Sequence, residues 1–166
     1  MTSRNKAAVV SEMELTDIAD VMDMIRELHI VRCETRPDIY AERENPVSDA
    51  YLTAIIGSKD RMALVARIDG QAAGICILSM KVTCSEMFVP RRIAFVDALY
   101  VRRAFRRQGV GAALYGAVRE RAAAQRADSI ELMVLTNAED EISFFSSCGM
   151  TVKSNVMEMK LQEKTV

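Results

Sequence analysis

The sequence predicts one mixed α/β (α+β) domain over residues 1–166, and three observations support this. A two-residue turn, Asp69-Gly70, joins two β-compatible segments, which indicates an antiparallel hairpin. Apolar residues recur at helical spacing before the hairpin, which indicates amphipathic helices. After the hairpin come a strand, a glycine-rich helix start and a second strand, an order that is typical of a parallel crossover in a mixed sheet.

Composition limits the classes of function. Half of the 166 residues are hydrophobic and 27% are charged, which is typical of a globular protein, and the net charge of −1 gives no reason to expect nucleic acid or an anionic membrane as a partner. No apolar run approaches the roughly 20 residues that span a bilayer. The four cysteines form no C-x-x-C pair and have no familiar zinc spacing with His29. We therefore expect no metal, and a cytoplasmic protein with reduced thiols.

Two helices are predicted before the hairpin, after a short first strand at residues 7–10. Thr16 is the expected N-cap of the first helix. Its buried face repeats at helical spacing and consists of Ile18, Val21, Met22, Ile25 and Leu28. Residues 31–48 are polar and contain two of the three prolines, so a loop is predicted there. Ser48 is the expected N-cap of the second helix and Gly57 its end.

The second half alternates between strands and helices. A nearly uniformly apolar strand at residues 93–101 is expected inside the sheet, followed by a helix from Gly109 and a strand at residues 129–135. Asn137 is the expected N-cap of the last helix, which Gly149 ends. The alternating residues 155–161 are predicted to close the sheet.

Arginines and glycines are concentrated between the strand at 93–101 and the next helix: Arg102, Arg103, Arg106, Arg107, Gly109 and Gly111. The start of a helix exposes unpaired N–H groups and a partial positive charge, so the amides of residues 108–112 predict an anion site. Glycines let a ligand reach the backbone, and arginines add full charges, which favours a phosphate chain. The alternative is a solvated basic loop before an ordinary helix.

Two common phosphate motifs are absent. The sequence has no Walker loop, and Leu114 occupies the third glycine position of a dinucleotide fingerprint. The pattern R-x-x-G-x-G at Arg106, Gly109 and Gly111 instead resembles the acetyl-CoA-binding motif of the GNAT N-acetyltransferase superfamily. The resemblance continues through "ELMVLTNAEDEISFFSSCGM", and it implies a central mixed, mostly antiparallel sheet flanked by about four helices.

The resemblance implies acetyl-CoA as cosubstrate and an amine as acceptor. The glycine loop would bind the pyrophosphate, and the preceding strand, splayed from its neighbour by a bulge, would pair with the pantetheine. The residues implied in coenzyme binding are Leu99, Tyr100, Val101, Arg106, Arg107, Gln108, Gly109, Val110, Gly111, Ala112, Asn137 and Phe145.

Asp97 is the candidate proton acceptor, because it is the one charged residue in the strand at 93–101 and burial would raise its pKa. The other interpretation is that Asp97 only pairs with an arginine such as Arg92. The amide near Leu99 is the candidate donor to the thioester oxygen. Phe145 replaces the tyrosine with which similar enzymes protonate the departing thiolate, so Tyr100, Ser146 or water is left as the acid.

The leading hypothesis is therefore an acetyl-CoA-dependent N-acetyltransferase acting by direct attack of a small-molecule or peptide amine in a ternary complex. The alternative, prompted by Phe145, is a non-catalytic acyl-CoA sensor of the same fold. A third hypothesis is a nucleotide-binding protein unrelated to acyl transfer. The acceptor would contact the first two helices, the loop at residues 33–42 and the segment at residues 85–92. Glu34, Asp38, Glu42 and Glu44 could attract a cation, and the alternative is a solvated acidic loop. The resemblance makes a homodimer a possible assembly, because similar proteins commonly dimerise.

Overall fold

The computed structural model describes residues 7–161. Its strands and helices follow in the order β1 (Val9–Glu12), α1 (Ile18–Thr35), α2 (Asp49–Ile55), β2 (Arg61–Ile68), β3 (Gln71–Thr83), β4 (Arg91–Val101), α3 (Val110–Ala124), β5 (Ser129–Leu132) and α4 (Glu139–Ser147). Short 3-10 turns precede α1 and follow β4, at Leu15–Asp17 and Arg103–Phe105. The chain divides into two compact units, one ending at Met133 and the other beginning at Val134. A single domain over the whole chain therefore stays a prediction.

The first unit contains a five-stranded sheet with the strands in sequence order, β1 to β5. The first four strands pair antiparallel, and β4 pairs parallel with β5. This confirms the mixed, mostly antiparallel sheet, and the parallel pair confirms the crossover through α3. Asp69 and Gly70 have φ values of 52° and 78°, as the hairpin turn between β2 and β3 requires.

Helices cover both faces of this sheet. On one face α1 and α2 bury the side chains that the helical spacing predicted, among them Val21, Leu28 and Leu52, against β2, β3 and Tyr100 of β4. On the other face α3 buries Val110, Leu114 and Val118 against the same sheet. Gly74 of β3 lets α3 approach the sheet closely, because a Cβ there would lie 2.8 Å from the Tyr100 carbonyl and 3.1 Å from Leu114 and Val110.

Several predicted boundaries in the first unit differ from the structure. Thr16 lies inside the 3-10 turn, and Asp17 is the N-cap of α1. The helix continues through residues 31–35, where we expected loop, and ends at Thr35, because Pro37 disfavours helical geometry in the preceding residue, Arg36, which is the C-cap. Ser48 caps α2 as predicted by accepting from the Tyr51 amide at 3.1 Å. Strand β5 ends at Leu132 instead of Leu135.

The second unit contains α4. Asn137 is not its N-cap, because the helix begins at Glu139 after Ala138, and three acidic residues in the first turn suit the positive end of the helix dipole instead. Gly149, with φ of 89°, follows its end as predicted. The predicted strand at residues 155–161 is wrong: these residues are exposed and form no strand, because alternation does not make a strand without a paired neighbour.

No helix within residues 7–161 has the length and apolar character needed to cross a membrane.

Candidate active site

A β-bulge lies in β4 at Asp97. Ala98 is opposite Ile77 of β3 and Val96 is opposite Leu78, so Asp97 is one extra residue without a partner position on β3. The family resemblance implied a bulge in this strand, and the register assigns it to Asp97. A bulge bends its strand and increases the local twist, which turns the end of β4 relative to its neighbours.

The end of β4 has one open edge in the sheet. Its parallel pairing with β5 ends at Val96 and Leu132, so residues 97–101 continue past β5. The Arg102 amide donates to the Ala73 carbonyl of β3 at 2.9 Å. Because successive residues of a strand direct their backbone groups to opposite edges, Tyr100 also faces β3, whereas the N–H and C=O groups of Leu99 and Val101 face the open edge. Of the three strand residues predicted to bind the coenzyme, Leu99 and Val101 therefore have backbone groups where a ligand can pair with the strand, and Tyr100 does not.

The start of α3 presents backbone amides without a capping side chain. Gly109 is the N-cap with φ of 82°, no side chain bonds to it, and the first turn contains no acidic residue. The first intrahelical bond runs from the Ala113 amide to the Gly109 carbonyl at 2.9 Å, which leaves the amides of Val110, Gly111 and Ala112 without a partner inside the helix. A Cβ at Gly109 would meet no atom within 4 Å. These features suit an anion.

The turn before α3 is held by its own side chains. The Gln108 side-chain amide donates to the Ala104 carbonyl at 2.9 Å, and Arg106 Nε donates to the Val101 carbonyl at 3.0 Å. Arg107 has φ of 62°, an uncommon conformation for a residue with a side chain. Gly109, two positions later, also has a positive φ, and backbone turns that contain such residues occur in anion-binding nests.

The four arginines of the predicted cluster divide into two groups. Arg103, Arg106 and Arg107 are exposed beside the helix start. Arg102 instead turns toward α1, where its Nη1 donates to the Ala72 carbonyl at 3.1 Å and lies 3.7 Å from the Asp20 carboxylate. Three arginines, and not four, therefore lie at the rim of the anion site.

Asp97 differs from both interpretations of the sequence. Its side chain is exposed, so the expected burial does not occur. Arg92 is not its partner, because Arg92 donates to the Gln125 side chain at 3.0 Å, and Asp97 forms no salt bridge with any residue between 7 and 161. The Asp97 carbonyl accepts from Arg32 of α1 at 3.5 Å. The bulge explains the exposure, since an extra residue is turned out of the regular pleat.

Tyr100 is bonded to a residue that the sequence analysis missed. The tyrosine is buried, and its hydroxyl donates to Glu27 of α1 at 2.9 Å. Burial raises the pKa of Tyr100, and the hydrogen bond and negative charge of Glu27 raise it further, whereas Arg106 lowers it. The Arg106 guanidinium lies 5.7 Å from the centre of the Tyr100 ring. No local pattern indicates Glu27, because it is 73 positions from Tyr100 in the chain.

Asn137 and Phe145 belong to the second unit. Asn137 is exposed just before α4. Phe145 is buried within α4 and meets the adjacent Phe144 edge to face, with 5.0 Å between the ring centres. Ser146, a candidate acid, is exposed on the same helix.

Among residues 7–161, no three His, Cys, Asp or Glu side chains lie close enough together to hold a metal ion.

Comparisons with known proteins give a consistent result. The model of the acetyltransferase (GNAT) family matches residues 23–150. Aminoglycoside N(6')-acetyltransferase type 1 of Klebsiella aerogenes is 28% identical over 110 residues, which are 66% of this chain and 67% of that protein.

Two solved structures show the same fold. A mutant of the BH1408 protein from Bacillus halodurans matches with a TM-score of 0.88 and 20% identity, over 93% of this chain and 99% of that one. Aminoglycoside N-acetyltransferase AAC(6')-Iy in complex with CoA matches with a TM-score of 0.75 and 15% identity, over 96% and 98%. At these identities the likeness concerns the fold alone.

Proposed function

Because the chain belongs to the acetyltransferase (GNAT) family, we propose that it transfers an acetyl group from acetyl-CoA to a primary amine of a small molecule, by direct attack in a ternary complex. The observation that carries the proposal is the uncapped start of α3 beside the open edge of β4. A diphosphate at the helix start and a pantetheine arm along the strand would occupy two features that adjoin in the chain.

The residues at the helix start fit a diphosphate. The amides of Val110, Gly111 and Ala112 have no capping competitor, and the open space at Gly109 admits a ligand close to the backbone. The exposed Arg103, Arg106 and Arg107 add charge-assisted contacts at the rim. An anion therefore replaces the acidic side chain or N-cap that other helices place at this end.

The open edge of β4 fits the pantetheine amides. Leu99 and Val101 offer N–H and C=O groups there, so an extended amide can pair with them as an added strand would. The Val101 carbonyl already accepts from Arg106 at 3.0 Å. We propose that Arg106 exchanges this carbonyl for a phosphate oxygen when the coenzyme binds, which frees the strand edge.

Acetyl-CoA supplies the activated acyl group, and the chain supplies position and charge. The Leu99 N–H faces the open edge and is the proposed donor to the thioester oxygen as negative charge develops there. A lysine-like amine has a pKa of about 10.4 in water, so it must lose a proton before attack. The exposed carboxylate of Asp97 is the proposed acceptor, directly or through one water molecule.

The departing thiolate lacks an evident acid. Phe145 has no proton to give, and the Tyr100 hydroxyl is directed to Glu27, which argues against Tyr100 in this role. A thiol with a pKa of about 8.5 leaves tolerably as its anion, so we propose that water protonates it afterwards. Asn137 and Phe145 remain proposed coenzyme contacts on the family resemblance.

The proposed acceptor class is a small-molecule amine, with aminoglycosides first among the candidates. The Klebsiella aerogenes relative is an aminoglycoside acetyltransferase by name. The exposed acidic residues Glu34, Glu42 and Glu44, at and after the end of α1, suit a polycationic acceptor. The same relative favours an enzyme over a sensor.

The test combines binding and turnover. CoA binding is measured by calorimetry, and acetylation by mass spectrometry of a panel of aminoglycosides, polyamines and peptides. Gly109→Glu is expected to abolish binding, whereas Gly57→Glu, at another glycine with positive φ and open space, retains it. Binding without acetylation of any amine would support the sensor instead, and undiminished CoA binding by Gly109→Glu would refute the site.

Asp97→Asn tests the proposed base separately. It should lower kcat by about 10² to 10⁴ and leave CoA affinity unchanged. An unchanged kcat and pH profile would remove Asp97 from the mechanism.

A further inference from the structure

A carboxylate on α1 links two residues at the end of β4. One oxygen of Glu27 accepts from the Tyr100 hydroxyl at 2.9 Å, and the other lies 3.3 Å from Arg102 Nε. Tyr100 and Arg102 are two positions apart in an extended segment, so both side chains are on the α1 face. A single carboxylate from α1 therefore contacts both residues on that face, through a hydrogen bond from Tyr100 and an ion pair with Arg102 that lacks hydrogen-bond geometry.

Further contacts, made by Arg106, connect Tyr100 to the proposed diphosphate site. The Tyr100 ring lies 5.7 Å from the Arg106 guanidinium, and Arg106 also donates to the Val101 carbonyl. Arg102 is the first residue after β4, and its side chain is further held by the Ala72 carbonyl at 3.1 Å. The segment between β4 and α3 thus begins at Arg102, which Glu27 contacts. Its Arg106 lies over the ring of Tyr100, whose hydroxyl is hydrogen-bonded to Glu27.

We propose that Glu27 is a positioning residue for coenzyme binding: it acts through Tyr100 and Arg102 to hold the end of β4, and it keeps the Tyr100 ring beside Arg106 while Arg106 exchanges the Val101 carbonyl for a phosphate oxygen. This inference rests on the proposed function. Contacts that are arranged before a ligand arrives reduce the ordering cost of binding, so loss of the carboxylate should weaken CoA affinity. In this role Glu27 acts through its contacts with Tyr100 and Arg102.

Charge alone predicts the opposite result. Removal of a negative charge near an anion site strengthens anion binding through the field. Glu27→Gln is therefore compared with Asp23→Asn, which makes the same charge change about one turn earlier on α1 at an exposed position. We expect about tenfold weaker CoA binding in Glu27→Gln, and unchanged or slightly tighter binding in Asp23→Asn.

A double-mutant cycle identifies the route. Tyr100→Phe keeps the ring beneath Arg106 and removes the hydroxyl, so part of the Glu27 effect should already be present in it. The two changes together should cost less than the sum of the single changes, because they remove one shared contact. Additive effects would exclude the route through Tyr100.

A spectroscopic measurement reports the contact itself. In Glu27→Gln the pKa of Tyr100 should fall, because the hydrogen bond and charge that raise it are lost. One of the four tyrosines should then ionise at lower pH in an ultraviolet titration, and Tyr100→Phe should remove that component. A general loosening of the fold would change several tyrosines together.

Kinetics completes the test where an acceptor has been found. Glu27→Gln should raise KM for acetyl-CoA and leave KM for the acceptor unchanged. Wild-type protein that binds no CoA would refute the proposed function. Wild-type protein that binds CoA, with Glu27→Gln and Tyr100→Phe both binding it equally well, would refute the positioning role alone.

Discussion

Gly74 is a glycine that the fold itself requires, whereas Gly109 is the glycine that we propose the ligand requires. Gly74 lies in β3 opposite Val101, beneath the start of α3. A Cβ at this position would approach the Tyr100 carbonyl oxygen to 2.8 Å and side-chain carbons of Leu114 and Val110 to 3.1 Å. The first of these contacts involves backbone that is paired in the sheet, so it cannot be relieved by a side-chain rotation.

The magnitude for Gly74→Ala follows from two opposing effects. Forcing an extra methyl group into a packed interior costs about 1–3 kcal/mol. Replacing glycine by alanine in a strand interior returns about 0.5–1 kcal/mol through chain entropy. The midpoints of these two ranges give a net destabilisation of about 1 kcal/mol, and the melting temperature should fall by about 2–4 °C for a chain of this length.

The measurement is urea unfolding followed by circular dichroism, with Gly116→Ala as the matched control. Gly116 lies within α3, and a Cβ there meets nothing within 4 Å, so the control should be more stable than wild type by about 1 kcal/mol. Opposite signs for the same chemical change would confirm the close approach of α3 to the sheet. A Gly74→Ala protein as stable as wild type would refute it.

Three further results are expected. Gly109→Ala should cost about 1–2 kcal/mol in calorimetric stability, because φ of 82° disfavours a side chain, and should weaken CoA binding more than this strain explains. In thiol labelling of the native protein, the exposed Cys84 should react first and the buried Cys76 only on unfolding. Burial, and secondarily the charge of Asp97, raises the pKa of Cys76 from 9.0 to about 12, so the native state favours the neutral thiol. The stability that the neutral Cys76 thiol contributes is fully present below pH 9 and is lost as pH rises toward 12, because the thiol ionises more readily in the unfolded chain. The urea midpoint of the wild type should therefore fall over that pH range, and Cys76→Ala should make the fall smaller.

The sequence predicted the features that depend on local chemistry. The Asp69-Gly70 turn and the helix start at Gly109 both need positive φ, and each is encoded by the residues that adopt it. The buried face of α1 likewise follows from spacing within one helix. These predictions needed no knowledge of what lies across the sheet.

The predictions that were wrong concern features that depend on partners distant in sequence. Whether residues 155–161 form a strand is decided by a neighbouring strand, which alternation does not supply. The inward turn of Arg102 is decided by Asp20 and Glu27 on α1, about 80 positions away, so the arginine looked like part of the surface cluster. The same holds for the contact between Glu27 and Tyr100.

The bulge at Asp97 explains why the candidate site has its present arrangement. Val96 packs on the α3 face, so regular alternation would place Ala98 and Tyr100 on that face too. Both instead pack on the α1 face, and Leu99 takes the α3 face, because one extra residue reverses every later position. This reversal brings Tyr100 to Glu27. The residue count at position 97 therefore matters separately from the carboxylate. Asparagine preserves the bulge, whereas deletion of Asp97 would let Ala98 follow Val96 in a regular pleat, so that Tyr100 would keep the α1 face while the bulge and the exposed carboxylate were lost.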